Sequence, residues 1–572
     1  MIEATSGTDL RVPLVIGAIG HRDLVAAETA MLEERVRSFL DSLQRKYPDL
    51  RITILTSLAD GADRLVASVA KLLHMPITYV LPMPTELYEH DFDAASLGEY
   101  REILRGSNVL TLPLVGDSTA EQVTRPGPRR DLQYAGLGAF IAAHCHILLA
   151  LWDGNENGAS GGTAQVIRFH QDDYMPGLTE GEPRSRLDVS DDESDLVHHV
   201  VCSRDRPEGE PNPPLRAGEA WWLSRDFETP RTRDMPARYE VVLRRMVEFS
   251  QDLTRHSGLI ERQPNELLAR DIDVVIDQGT RAIAESFKSA DALANHYQRR
   301  TRRALWALYG FAALASFCYI TYGGFSGWDL MIYPYWVFMA SSLAAYLVAS
   351  RGAWQRRSLD YRVLAEALRV QFYWAIAGVE RSAVSRFGHD AFLKRQELEL
   401  GWIRNMLRVA GQRDDATDET PSEVGLEIAV RDWIGNELNF FRQRWPRLLI
   451  WHRITEVLDR TSFAAGLLLA GWLALAQLFF ERQPTNELIV LMGFLPVAAW
   501  LLQHFAQRTA YGELIGQYQF MERVLSNARR QLIVASTATE RRRVLRELGD
   551  ALLRENQQWV LRLRERPIST VG

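Results

Sequence analysis

Along the first 170 residues, short apolar runs alternate with longer segments whose apolar positions recur every three or four residues. LVIGAI, ITIL, ITYVLP, VLTLPLV and ILLALW read as buried strands, because each is short, rich in aliphatic residues and unbroken by charge. The segments between them read as amphipathic helices, and the alternation predicts a doubly wound α/β domain over 1–170. From Gln171 to about Pro236 the pattern dissolves into an acidic, Pro-rich stretch (DDYMPGLTEGEPRSRLDVSDDESD, then PEGEPNPP), which is expected to be a long insert or linker, 171–236. Helical periodicity returns over 237–303 and predicts a continuous helical connector.

Four later segments abandon amphipathicity. Ala304–Tyr322, Tyr333–Ser350, Ser462–Phe480 and Leu488–Phe505 contain no Asp, Glu, Lys or Arg. A helix rises about 1.5 Å per residue and the hydrocarbon core is about 30 Å thick, so about 20 apolar residues make a span. Soluble helices keep a polar stripe that these lack. The chain is therefore expected to carry an all-α membrane domain of four transmembrane helices in two hairpins, 304–350 and 462–505. A cytosolic helical block, 351–461, would separate the hairpins, and C-terminal cytosolic helices, 506–572, would follow. Tyr361-Arg-Val-Leu and Tyr511-Gly-Glu-Leu, each following a hairpin, form a weak internal echo.

Charge fixes the expected orientation. Arg299, Arg300, Arg302, Arg303, Arg351, Arg356, Arg357, Arg453 and Arg460 flank the spans on one side, while the connectors on the other side hold Arg482 and no Lys. The positive-inside rule then puts both termini in the cytoplasm of a multi-pass inner-membrane protein. Met1–Arg11 is polar and does not resemble a cleavable signal peptide. With 66 Lys plus Arg against 73 Asp plus Glu, the net charge of −7 argues against a nucleic-acid partner. Cys145, Cys202 and Cys318 are too dispersed for a disulfide scaffold or a metal site, and His144 and His146 lack a complementary ligand pair. Apart from Gln477, Gln503 and His504 the spans offer almost no polar groups, so a pore would have to form between protomers of a homo-oligomer.

Candidate chemistry lies in three turns, each after a predicted strand. The first carries Gly17, Gly20, His21 and Arg22; the second carries Ser57, Ala59, Gly61, Asp63 and Arg64; the third carries Trp152-Asp153-Gly154 and, further on, Gly161-Gly162-Thr163. In a parallel sheet neighbouring carboxyl ends open on one crevice, so these turns would aim helix N-termini and free N–H groups at one anion. His21 suits phosphate contact, titration or capping of its turn. Asp63 and Asp153 suit ribose or base hydrogen bonds, or helix caps. Arg64 suits a phosphate or a surface ion pair.

In this order the three turns resemble the SLOG superfamily of Rossmann-like nucleotide-binding domains, over residues 12–170. The similarity includes Gly-His-Arg at 20–22, Leu58-Ala-Asp-Gly-Ala-Asp63, LPMP with Tyr88 and Asp91-Phe92, Tyr134 with Gly138, and the Trp-Asp-Gly and Gly-Gly-Thr pair. The rest is similar to the two-transmembrane SLATT modules fused to such sensors, through 365–378 (AEALRVQFYWAIAG), Trp433-Ile434 and Glu555-Asn556 with Trp559. The resemblance implies a receptor for a nucleotide second messenger made by a separate enzyme. The ligand would be cyclic or ADP-ribose-like, no other cofactor would be needed, and binding would open a pore or disrupt the bilayer in bacterial antiphage defence. The phosphoribohydrolase branch carries a catalytic glutamate three residues after the threonine of its Gly-rich motif, where this chain has Val166. That departure favours a receptor over an enzyme. Glu156 is a conceivable substitute, although a loop acid beside two asparagines is more often solvated. A membrane-tethered N-glycosidic hydrolase and a nucleotide-regulated channel or transporter are the alternatives.

Overall fold

Six short apolar runs pair side by side as parallel strands: β1 (Pro13–Gly20), β2 (Arg51–Thr56), β3 (Ile77–Leu81), β4 (Asn108–Thr111), β5 (Ile147–Trp152) and β6 (Leu196–Val201). With the antiparallel β7 (Ala220–Leu223) and β8 (Arg231–Thr232), they form one sheet in the order β4-β3-β2-β1-β5-β6-β7-β8. This is a computed structural model that describes residues 10–116, 118–156, 161–172, 174–179, 196–224, 230–268, 276–325, 327–379, 400–410, 423–480, 485–509 and 511–564.

All five expected strands are present. Of VLTLPLV, only the first residues pair, because Pro113 has no N–H to give and the Gln133 side chain binds Pro113 O (2.8 Å) and Val115 N (2.9 Å) instead. The expected linker 171–236 is corrected. Its second half supplies β6, β7 and β8, and the run LVHHVV is buried throughout beside β5.

The sheet is sandwiched by α1 (Thr29–Lys46), α2 (Ala62–Leu72), α3 (Thr85–Tyr88), α4 (Ala94–Leu104), α5 (Ala120–Thr124), α6 (Pro128–Ala143) and α7 (Thr163–Asp172). Val15, Ile19, Leu148 and Ala150 share one apolar cluster with Phe140 and Ile141 of α6 and Ile167 and Phe169 of α7. Leu14 and Ile16, equally buried, turn to the opposite face. Burial on both faces is why these strands read as unbroken apolar runs.

Beyond the sheet the chain is helical: α8 (Ala237–Arg255), α9 (Ser257–Arg262), α10 (Gln278–Gly324), α11 (Ile332–Arg351), α12 (Trp354–Ala377) and α13 (Gly401–Ala410). There follow α14 (Glu423–Ile428), a π-helical turn at Ala429–Ile434, α15 (Gly435–Phe480), α16 (Asn486–Thr509), α17 (Tyr511–Val534) and α18 (Ala538–Arg564). The expected continuous connector is interrupted, because His256 leaves helical geometry (φ −114°, ψ 21°) and ends α8. Tyr511 opens α17 whereas Tyr361 lies inside α12, so the two halves of the echo do not occupy equivalent positions.

The chain divides into two compact units, Met1–Ser289 with Ala367–Ser422, and Ala290–Glu366 with Glu423–Gly572. In the first, α8 and α13 complete the α/β domain. Phe249 and Trp402 pack with ring centroids 5.3 Å apart. His146 Nδ1 accepts from Val15 N–H (3.1 Å) and Nε2–H donates to Asn405 O (2.9 Å). Part of the expected separate block 351–461 thus belongs to the domain that holds the sheet.

In the second unit, α10, α11, α15 and α16 contain the four stretches long and apolar enough to cross a membrane. Ser342 Oγ donates to Leu308 O (3.1 Å), joining the first two spans. Gly493 lies against Ile320, and Gly466 beneath Pro496, where small residues let helices approach closely. Trp306, Phe317, Leu468, Trp472, Leu478 and Phe479 face outward with large exposed areas. An apolar surface of this extent is stable in hydrocarbon and unstable in water. This is a multi-pass membrane protein.

Candidate functional site

The strand order reverses between β1 and β5, which are hydrogen-bonded neighbours (Gly20 opposite Leu151). The connections from these strands leave toward opposite sides, so their carboxyl ends open a crevice, the usual ligand position in such sheets. The turn after β1 brings His21 and Arg22 to it, the turn after β2 brings Ser57 and Asp63, and the turn after β5 brings Asp153.

The first two turns are stitched together by backbone. His21 N–H donates to Leu151 O (3.1 Å), and Ala62 N–H donates to His21 O (3.0 Å). Gly61 makes this approach possible. It sits at φ +77°, and an added Cβ would come within 2.3 Å of Arg22 O. Across β5, His21 Nε2 lies 3.1 Å from Asp153 Oδ1, and Asn155 N–H donates to the same oxygen (3.0 Å). Asp153 N–H donates to His21 Nε2 (3.2 Å); burial works against the Asp153 charge, but the His21 ring and Asn155 N–H outweigh it and hold the carboxyl below its ordinary value.

Arg22 is open to solvent, and its guanidinium stands 5.3 Å from the Tyr134 ring centroid. No carboxylate among the described residues pairs with it. Partial desolvation by the surrounding protein opposes its charge, while Tyr88, Tyr134, Asp91 and Asp63 nearby more than compensate and raise its pKa. Asp91 is already engaged, accepting from Arg130 (2.6 Å) and from the Tyr134 hydroxyl. Burial and that bond to Asp91 push Tyr134 up to about 12. Arg22 is thus an exposed cation at the crevice with no carboxylate partner among the described residues.

Asp63 is only 8% exposed. Its Oδ2 accepts from Ser57 Oγ–H, and its Oδ1 is buried without a hydrogen-bond partner among the described residues. Desolvation dominates and pushes its pKa up to about 7, against the opposing effects of Ser57 and Arg22. Ser57 Oγ also accepts from Ala59 N–H (3.1 Å), so Ser57 and Ala59 shape the turn. The fully buried Tyr88 hydroxyl faces the same Ser57 without a well-formed bond.

The third element closes on α6. Gly161, at φ +76°, abuts Ala135 N and Asp131 O, beside the helical turn that carries Tyr134. Gly161 N–H is taken by the Gln165 side chain, and Gly162 O accepts from Gln165 and Val166 N–H to start α7 at Thr163. Gly162 and Thr163 stand partly exposed at this helix N-terminus.

Two expected site residues lie elsewhere. Gly17 is inside β1, not in the turn, and a Cβ there would meet Cys145 Sγ at 2.8 Å; it is a packing residue. Arg64 is held by Glu99 (2.7 Å), Asp60 (2.9 Å) and Ser96 O (3.2 Å), so of its two readings the ion pair is the one present. Gly20 does end β1, but its missing side chain serves packing against Ala62 and Leu151. Val166 is buried with its Cγ2 where a Gly138 Cβ would stand, packed between α6 and α7.

Sequence reasoning missed the far wall. Arg204 Nε donates to both Asp23 oxygens (2.9 and 3.1 Å), Ser203 Oγ donates to Glu28 (2.6 Å), and Asn212 N–H donates to Asp153 O (2.8 Å). The signal was the apolar run LVHHVV, which marks a strand whose following loop must reach the same crevice. The chain matches no protein-family model, and no curated protein or solved structure is significantly similar to it. What the crevice binds has to be inferred from its own chemistry.

Proposed function

We propose that the chain is a membrane-embedded receptor for a phosphate-bearing, nucleotide-derived ligand, whose binding in the crevice switches the state of the spans. The observation that carries this reading is Arg22, a cation at the β1/β5 switch point with no carboxylate partner among the described residues, flanked by His21 and by Gly-bearing turns that lead into α2 and α7. A phosphate oxygen accepts from guanidinium and backbone N–H groups together, and the adjoining tyrosines and the Asp153 carboxylate suit a base or ribose. The resemblance of residues 12–170 to SLOG sensors, and of the helical remainder to SLATT modules, supports a nucleotide signal and an effector role at the bacterial inner membrane, in defence, as a homo-oligomer. Transmission would pass along the chain at α10 and α12, within whose residues the division between the two units falls. Moving a mostly closed population to a mostly open one requires about 5.5 kcal/mol of differential ligand affinity, which several sites in an oligomer would share.

The test is dye release from liposomes holding the full chain, with candidate nucleotides and non-hydrolysable analogues, while the nucleotide pool is followed by chromatography. Release with both forms and an intact pool is expected. Release only with the cleavable form, accompanied by free base, would instead establish the membrane-tethered hydrolase. The full chain is required, since a fragment ending at residue 170 would lack β6, β7 and β8 and the Arg204 wall.

A further inference from the structure

Asp63 is the buried group in the crevice that the reading above leaves without a task. Its environment is specific: one carboxyl oxygen is bonded to Ser57, the other is buried and unmatched, and no cation is hydrogen-bonded to it among the described residues. A carboxylate in such a place would forfeit its hydration for one neutral hydrogen bond, which is unfavourable, whereas the protonated acid would forfeit far less and would own a donor in search of an acceptor. The charged and titratable groups that face it are Arg22 from the turn after β1 and Tyr88 from α3; Asp91 and Tyr134 act on Arg22 from the other side.

We propose that Asp63 is a neutral acid that donates its carboxyl proton to a hydrogen-bond acceptor of the ligand whose anionic group sits on Arg22. The inference rests on the receptor reading and specifies the ligand further: an anion with an acceptor oxygen or nitrogen close to it, taken up together with a proton. Two effects act in the same direction. The ligand's acceptor requires the proton, and an anion on Arg22 cancels the positive charge that had favoured the Asp63 carboxylate. A proton from solvent therefore enters with each ligand bound above the carboxyl's midpoint. Burial pushes the ligand-free carboxyl up to about 7, so the linkage is expected within the physiological range.

The experiment uses the full chain in nanodiscs and two phosphodiester probes, 3′,5′-cyclic AMP and ADP-ribose, whose phosphates do not titrate near neutrality. Titration calorimetry from pH 6 to 8.5, in buffers of different ionisation heat, reads affinity and proton uptake together. For the wild type, affinity is expected to be greatest below about pH 7 and to fall up to tenfold per unit above it, with uptake approaching one proton per ligand. Asp63→Asn keeps the shape and a donor, so its affinity should be flat with pH and its uptake zero. Asp63→Ala, without a donor, should bind at least tenfold more weakly at pH 6. Wild-type affinity that is flat with pH, or the same slope in Asp63→Asn, overturns the proposal while leaving the receptor reading intact. Failure of both probes to bind the folded wild type at any pH overturns the proposed ligand class. An infrared difference between wild type and Asp63→Asn without ligand tests the acid separately: a protonated-carboxyl band at pH 6 that is lost by pH 8.5 is expected, and its absence also overturns the proposal.

Discussion

Gly61 and Arg22 show how much of the crevice depends on single residues. At Gly61 the backbone is left-handed and the space for a side chain is filled by the carbonyls of His21 and Arg22. Gly61→Ala should cost about 1–3 kcal/mol through strain and should push the His21–Arg22 turn away from α2. The expected result is a lower melting temperature and loss of probe binding; a variant that melts and binds like the wild type would mean that the two turns are not stitched as described. Gly162→Glu tests the third element, placing bulk and negative charge at the N-terminus of α7. Calorimetry on the folded variant should show a collapse in affinity, and unchanged affinity would remove the Gly-Gly-Thr turn from the phosphate site.

At the scale of elements, β6 brings a titration of its own. His198 is stacked on Phe39 (centroids 3.9 Å apart) and His199 Nε2–H donates to Trp152 O (2.9 Å). Burial pushes His198 down to about 3 and His199 down to about 4. The unfolded chain takes up these protons near pH 6.5. The stability the two neutral rings contribute is therefore complete above pH 6.5 and is lost as pH falls toward 4 and 3, by about 2 kcal/mol per histidine at pH 5. Asp63 works the other way. Its folded value of about 7 exceeds the unfolded one, so its contribution grows as pH falls from 7 and offsets about one histidine. Thermal melting followed by near-ultraviolet circular dichroism should show lower stability at pH 5 than at pH 7, with the larger drop in an Asp63→Asn background. Equal melting temperatures in that background would mean that the rings are not held neutral.

For the whole molecule, the arrangement of charges around the spans predicts the topology. A reporter fused at Gly327, in the connector between α10 and α11, should be periplasmic, and one near Gly411 cytoplasmic. A cytoplasmic reporter at Gly327 would refute the proposed orientation. Gly411 lies outside the described residues. Within the second unit, Arg362 binds Asp291 (2.8 Å), and the buried Asp360 accepts from Arg564 of α18 (3.2 Å). These ion pairs tie α12 to α10 and α18, because a buried carboxylate without a cation would be strongly destabilising.

The sequence by itself determined what depends on local composition. The four spans could be read because hydrocarbon demands about 20 consecutive apolar residues, and β1 to β5 could be read because strands buried on both faces show no polar alternation. The candidate turns were visible too, since glycines at strand ends follow from chain geometry. What only the tertiary structure decided depends on partners distant in sequence. Gly17 and Gly20 became packing residues once Cys145, Ala62 and Leu151 were placed against them. Arg64 was committed to Glu99 and Asp60, and Asp91 to Arg130 and Tyr134, while Arg22 has no carboxylate partner among the described residues. The acidic stretch before Leu196 hid β6, whose membership of the sheet rests on pairing with β5 rather than on any local signal strong enough to outweigh its surroundings. In the sequence Asp63 suited a ribose or base hydrogen bond or a helix cap; its raised pKa was decided by burial, which is a property of the assembled crevice.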